Sequence, residues 1–116
     1  MSERPLQSLN RVTLIGRLGR RPEMRYTPTG RPVTLFSVVT TLADAPNDSE
    51  RRSKMDWFNV VAWGALAETC KQTLSKDQPV YVEGKLKTRR WHDADNRLYS
   101  EAEIVAHHVF PLVLPS

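Results

Sequence analysis

From Lys54 to Gly64 the chain reads Lys54-Met55-Asp56-Trp57-Phe58-Asn59-Val60-Val61-Ala62-Trp63-Gly64. As an extended strand this stretch sorts onto two coherent faces, because successive side chains point to opposite sides of a sheet. Phe58, Val60 and Ala62 make a compact apolar face that suits a core. Trp57, Asn59, Val61 and Trp63 make the other, two indoles on a face that Asn59 keeps partly polar, with Lys54 just upstream. Flat rings beside a cation suit stacking on unpaired bases, since every base offers a π-face. Packing of both rings inside the protein, or at a subunit contact, is the other reading, because Trp is usually well covered yet favours wet-edged surfaces.

The neighbouring segments supply the sheet such a strand requires. Asn10 to Leu18 has a strand pattern with Val12 and Leu14 inward and Arg11, Thr13 and Arg17 outward. Gly16 interrupts it, which predicts a bulge or sharp bend, the device that curls a small sheet into a barrel. Arg20 to Gly30 is a connection rich in turn formers, and its two prolines argue against a long helix. Val33 to Leu42 is β-branched and apolar on both sides, as in a strand buried on both faces or shared with a second subunit. Ala43 to Ser53 reads as an exposed flap carrying Arg51 and Arg52 into the Trp57 strand.

Ala65 to Ser75 is the one predicted helix, with Leu66, Thr69, Cys70 and Thr73 or Leu74 at helical spacing. Pro79 forbids its continuation, and Cys70 on the apolar stripe reads as a small buried hydrophobe. Val80 to Trp91 is a second informative strand. Its outward row runs Tyr81, Glu83, Lys85, Lys87, Arg89, Trp91. A solvated strand face accounts for the cations. It does not account for an indole beside a turn, where cation and ring interleave as single-strand binders require. His92 to Arg97 has turn composition and should close a hairpin. Leu98 to Phe110 returns with Glu101 and Glu103 on one side, expected to pair across the strands with Lys85 and Lys87.

Composition narrows the chemistry. One domain is the default for 116 residues. The 17 Lys+Arg against 13 Asp+Glu give a net charge of +4, consistent with a polyanionic partner. A lone Cys70 and three scattered His residues offer neither an internal disulfide nor a metal site, and no cofactor is expected. No apolar signal core or bilayer-length apolar run occurs, so a cytoplasmic protein is expected. No phosphate-cradling loop, nucleophile–base pair or dinucleotide fingerprint is present, and the chain does not read as an enzyme.

Together these elements predict an all-β fold with one helix, a five-stranded barrel of the oligonucleotide-binding (OB) type. From about Asn10 to Phe110 the chain closely resembles the bacterial and mitochondrial single-stranded DNA-binding protein (SSB) family. The resemblance is carried by Asn10-Arg11-Val12-Thr13-Leu14-Ile15-Gly16-Arg17-Leu18-Gly19, Arg21-Pro22-Glu23-Met24-Arg25-Tyr26 and Trp57-Phe58-Asn59-Val60-Val61-Ala62-Trp63-Gly64. It continues in Leu66-Ala67-Glu68, Val80-Tyr81-Val82-Glu83-Gly84-Lys85-Leu86 and Thr88-Arg89-Arg90-Trp91. Each motif is weak alone; their order and spacing are specific.

What the resemblance implies is an OB domain over residues 10–111, after a flexible lead-in at 1–9 and before a short end at 112–116. It implies a homotetramer, with a dimer as the alternative, that wraps single-stranded DNA in replication, recombination and repair, nucleoid-associated in the cytoplasm. Trp57, Trp63 and Trp91 hold the family's stacking positions, and Arg11, Arg25, Lys76, Lys87, Arg89 and Arg90 its phosphate path. Residue patterning adds Arg51, Arg52, Lys54 and Lys85 to that path.

Two departures stand out. Leu42-Ala43-Asp44 replaces another Trp that many members carry, and the sequence ends at Ser116 without the acidic tail through which members recruit replication and repair proteins. Rival readings are a dimeric primosome-type accessory barrel, an RNA-binding OB module, and an interaction module whose Trp residues anchor an interface.

Overall fold

The computed structural model describes residues 6–41 and 47–113, with side chains throughout except at 51–53. Six strands occur among them: β1 (Val12–Leu18), β2 (Glu23–Tyr26), β3 (Pro32–Thr41), β4 (Met55–Trp63), β5 (Pro79–His92) and β6 (Leu98–Pro111). Helix α1 (Asp48–Ser53) precedes β4, and α2 (Ala65–Thr73) links β4 to β5. The sheet runs β1-β5-β6-β4-β3, and β3 pairs back onto β1 to close a five-stranded barrel. β2 adds to the edge of β3. The predicted OB barrel is the observed fold.

Alternation decides what fills it. The β3–β4 register sets Phe36 opposite Val60 and Val38 opposite Phe58 on one face, and Leu35 opposite Val61 and Val39 opposite Trp57 on the other. The first face joins Leu18, Val80, Val82 and Ile104 in the core. Each such side chain, fully buried, contributes roughly 1.5–3 kcal/mol. Helix α2 closes one end of the barrel with Cys70 and is followed by the buried Leu74; the buried Thr34 hydroxyl donates to the Ala67 carbonyl at 2.7 Å. Burial pushes the Cys70 thiol up to about 11, so it stays protonated and acts as packing.

Four expectations need correction. The Arg20–Gly30 connection contains a short strand, β2, held by pairing with β3. The flap contains helix α1, whose first turn is capped by Asn47 Oδ1 accepting from the Glu50 amide at 2.8 Å. Two helices therefore occur among the described residues where one was expected. The buried stripe of α2 is Ala67 and Cys70, whereas Thr69 and Thr73 are exposed and donate back to the Ala65 and Thr69 carbonyls. Lastly, of the bulge or bend expected at Gly16 the bulge is absent, since no register shift falls there. The irregularity lies on β5–β6 at Glu83/Gly84, while Gly16 sits against the Val39 carbonyl where β1 passes from β5 to β3.

Beyond Gly84 the β5–β6 hairpin leaves the barrel as an exposed arm. Its root is splinted by Asn10, whose side-chain amide donates to the Leu86 carbonyl at 2.7 Å and accepts from the Leu86 amide at 2.9 Å. Its tip is closed by Asp93, whose Oδ1 accepts from the Asp95 and Arg97 amides, both at 2.9 Å.

Two carboxyls titrate below their usual range. Asp93 is lowered first by the Arg97 amide, and Glu83 first by the Tyr81 hydroxyl at 2.7 Å and further by Arg11 at 3.1 Å, in each case against partial desolvation. A depressed carboxyl contributes stability above the unfolded value, about 4, that is lost as pH falls through the folded one. The melting temperature should thus hold between pH 7 and about 5 and fall below about 4. Asp93→Asn and Glu83→Gln should each flatten that decline in thermal melts followed by circular dichroism from pH 3 to 7.

Candidate nucleic-acid interface

The three indoles differ in how much ring they offer. Trp57 is 57% exposed and lies flush on Gly19, where a Cβ would come within 2.4 Å of the ring. It shares a cleft of about 540 Å³ with Lys76 and Arg17, the latter tied to the Asp77 carbonyl at 3.0 Å. Trp91, on the arm, is 37% exposed. Tyr99 backs it across the hairpin at 5.8 Å between ring centroids, and the Arg89 guanidinium lies 5.0 Å from its ring. Trp63 is half-buried, with the Arg31 guanidinium 4.4 Å from its ring centre. Its face is the least available of the three.

Between Trp57 and the arm lies a cavity of about 210 Å³. Asn59, on the Trp57 face of β4, donates from Nδ2 to Glu101 Oε1 there. Arg20, Arg89 and Glu103 line it too, with Phe36 and the buried Ser37 beneath.

The structure brings together some of the predicted cations and not others. Lys85, Lys87 and Arg89 share the arm face of Trp91, and Arg90 alternates to the other side. Lys76 lines the same cleft as Trp57, and Lys54 stands exposed just before β4. Arg25 is exposed on β2 with Glu23 at 3.4 Å, a surface pair worth at most about 1 kcal/mol that leaves its charge accessible. Arg11 is set instead on the β1–β5 face, ion-paired to Glu83 at 3.1 Å. Arg51 and Arg52 fall in α1, their side chains outside the described residues, as does the Leu42-Ala43-Asp44 segment.

The expected Glu–Lys pairing is offset by one rung. Glu103 lies opposite Lys87 and Glu101 opposite Arg89, while Lys85 faces Val105. Sequence reasoning passed over Arg31, Arg20 and Tyr99. The cation density of residues 20–31 was a signal for the first two. Counting outward from the 93–97 turn sets 91 opposite 99, a signal for the third.

Around the barrel, Ile15, Tyr81 and Phe110 form one register line across β1, β5 and β6. Ile15 and Phe110 are largely exposed, and the Tyr81 and Phe110 rings lie 6.1 Å apart. Among the described residues no group of three or more His, Cys, Asp or Glu is placed to hold a metal ion, and no helix is long and apolar enough to cross a membrane.

A closed five-strand barrel with a helix between its third and fourth barrel strands, bearing indoles among cations on its outer face, is an oligonucleotide-binding barrel. The chain belongs to the single-strand binding protein family, whose model matches residues 9–112. It is 41% identical over 87 residues to single-stranded DNA-binding protein 1 of Chlorobaculum tepidum, covering 75% of this chain and 54% of that protein. It is 39% identical over 102 residues to the single-stranded DNA-binding protein of two Neisseria meningitidis strains, covering 88% of this chain and 59% of theirs. The chain thus spans little more than half the length of these relatives.

Proposed function

We infer that this domain binds single-stranded DNA without requiring a particular sequence, stacking bases on Trp57 and Trp91 and neutralising phosphates with the surrounding cations. The observation that carries this reading is the coincidence, twice, of an exposed indole and a cation: Trp57 in one cleft with Lys76, and Trp91 beside Arg89. The names of its relatives point to the same ligand. Trp63, with one face under Arg31, adds a weaker platform. Lys54, Lys85 and Lys87 extend the phosphate path, with Arg25 and Arg90 flanking it. The exposed Ile15–Tyr81–Phe110 line is a surface that a second copy would cover, in keeping with a homotetramer or dimer. Protection of exposed strands during replication, recombination and repair, in the cytoplasm beside the nucleoid, is the setting this activity suits.

Titration of intrinsic Trp fluorescence with poly-dT at several salt concentrations tests the reading. Quenching should saturate, and log affinity should fall against log salt with a slope of about −0.7 per phosphate, near −3.5 for five contacts. Absent quenching, or an affinity indifferent to salt, would overturn it.

A further inference from the structure

The cavity between Trp57 and the arm differs in charge from the rest of the basic face. Glu23, Glu101 and Glu103 place three carboxylates there, matched by the guanidiniums of Arg20, Arg21 and Arg89. Asn59 holds one oxygen of Glu101. Beneath them Ser37 is only 5% exposed and its buried hydroxyl has no hydrogen-bond partner, although such groups are nearly always paired. At about 210 Å³ the space is smaller than the roughly 300–1,000 Å³ of drug-sized clefts, and suits a single ring system.

With each guanidinium balanced by a carboxylate the cavity offers a phosphate no net positive charge, so the group it would take from a strand is a base. Acceptors beside guanidinium donors then discriminate among bases. Guanine offers two adjacent donors, N1–H and N2–H, to one carboxylate, and its O6 and N7 accept from a guanidinium. Thymine offers a single N–H flanked by carbonyl oxygens that would face the carboxylates. Adenine and cytosine each offer one exocyclic amine without an adjacent ring N–H.

We propose that the Ser37–Asn59–Glu101–Glu103 cavity is a base-reading subsite that receives one unstacked guanine from a strand lying across Trp57 and Trp91. This rests on the single-stranded DNA reading above and adds a graded preference to it. Asn59 is a positioning residue that orients Glu101, and Ser37 gains a partner from the bound base.

The test is displacement of a fluorescein-labelled oligo-dT, followed by anisotropy. Unlabelled competitors of equal length would be all-dT, or dT with one central dG, dA or dC. The dG competitor should displace the probe at about one-fifth the concentration of all-dT or lower, and better than dA or dC. In the Glu101→Gln/Glu103→Gln double variant the dG-to-dT ratio should fall to one, and in Ser37→Ala it should shrink. Equal competition by dG and dT, a stronger preference for dA or dC, or a dG preference that persists in the double variant would each overturn the subsite while leaving single-strand binding intact. Failure of the unaltered protein to bind the labelled dT at all would overturn the underlying reading, and the subsite with it.

Discussion

Replacing Trp57, Trp63 and Trp91 together with Ala should lower affinity for oligo-dT by at least about 100-fold, at roughly 1–3 kcal/mol per stacked base. The loss should be uneven. Trp57 offers the widest ring and should cost most alone; Trp91, 37% exposed with Tyr99 stacked on it and Arg89 over the ring, comes next. Trp63 should cost least, because Arg31 occupies one of its faces. The barrel should survive, since none of the three rings is among the buried side chains of the core. Anisotropy titrations with far-ultraviolet circular dichroism on the same samples separate the two effects. An affinity within about 3-fold of the unaltered protein, or roughly 0.6 kcal/mol, would remove stacking from the mechanism.

The largest loss of stability should come from a residue with no side chain. A Cβ added at Gly84 would sit 2.1 Å from the Val105 carbonyl oxygen and 2.8 Å from its carbon. Both are backbone, so nothing flexible can give way. The clash falls at the β5–β6 irregularity where the arm leaves the barrel, and relieving it means parting strands that are paired on both sides. Gly84→Ala should cost about 2–3 kcal/mol and Gly84→Val more, at the upper end of what overpacking does. For a domain of this size that lowers the melting temperature by about 10 °C. Gly30→Ala is the contrast: φ is +86° with nothing within 4 Å, so only backbone strain of about 1 kcal/mol is expected. Differential scanning calorimetry would rank the three. A Gly84→Ala protein that melts with or above the parent would mean that β5 and β6 shift apart without cost.

What could be read from the chain was what period-two alternation carries. Phe58, Val60 and Ala62 inward, Trp57 and Asn59 outward, and the Lys85–Trp91 row follow from the pleat alone. Strand β2 was not legible because Glu23–Tyr26 forms only against Pro32–Leu35, a pairing that no local pattern announces. Helix α1 is announced by Asn47 followed three residues later by Glu50, a capping signature, but the turn propensity of Asn47, Asp48 and Ser49 hides it. Alternation also puts Trp63 on a face without saying what covers it, and its cover, Arg31, comes from the connection just before β3. The same limit hid the cavity. Ser37, Asn59 and Glu101 stand far apart in sequence, and only the paths of β3, β4 and β6 around the barrel bring them together.

The side chain of Asn10 stands in for a peptide unit. By occupying both the N–H and the C=O of Leu86, it lengthens β1 by one rung with no strand there. The bare margin of the arm therefore begins only at Thr88, in a stretch studded with Lys87, Arg89 and Arg90. A foreign strand seeking to zip onto it would meet like charge at once, and this guards a long, solvent-facing ribbon against runaway edge-to-edge polymerisation.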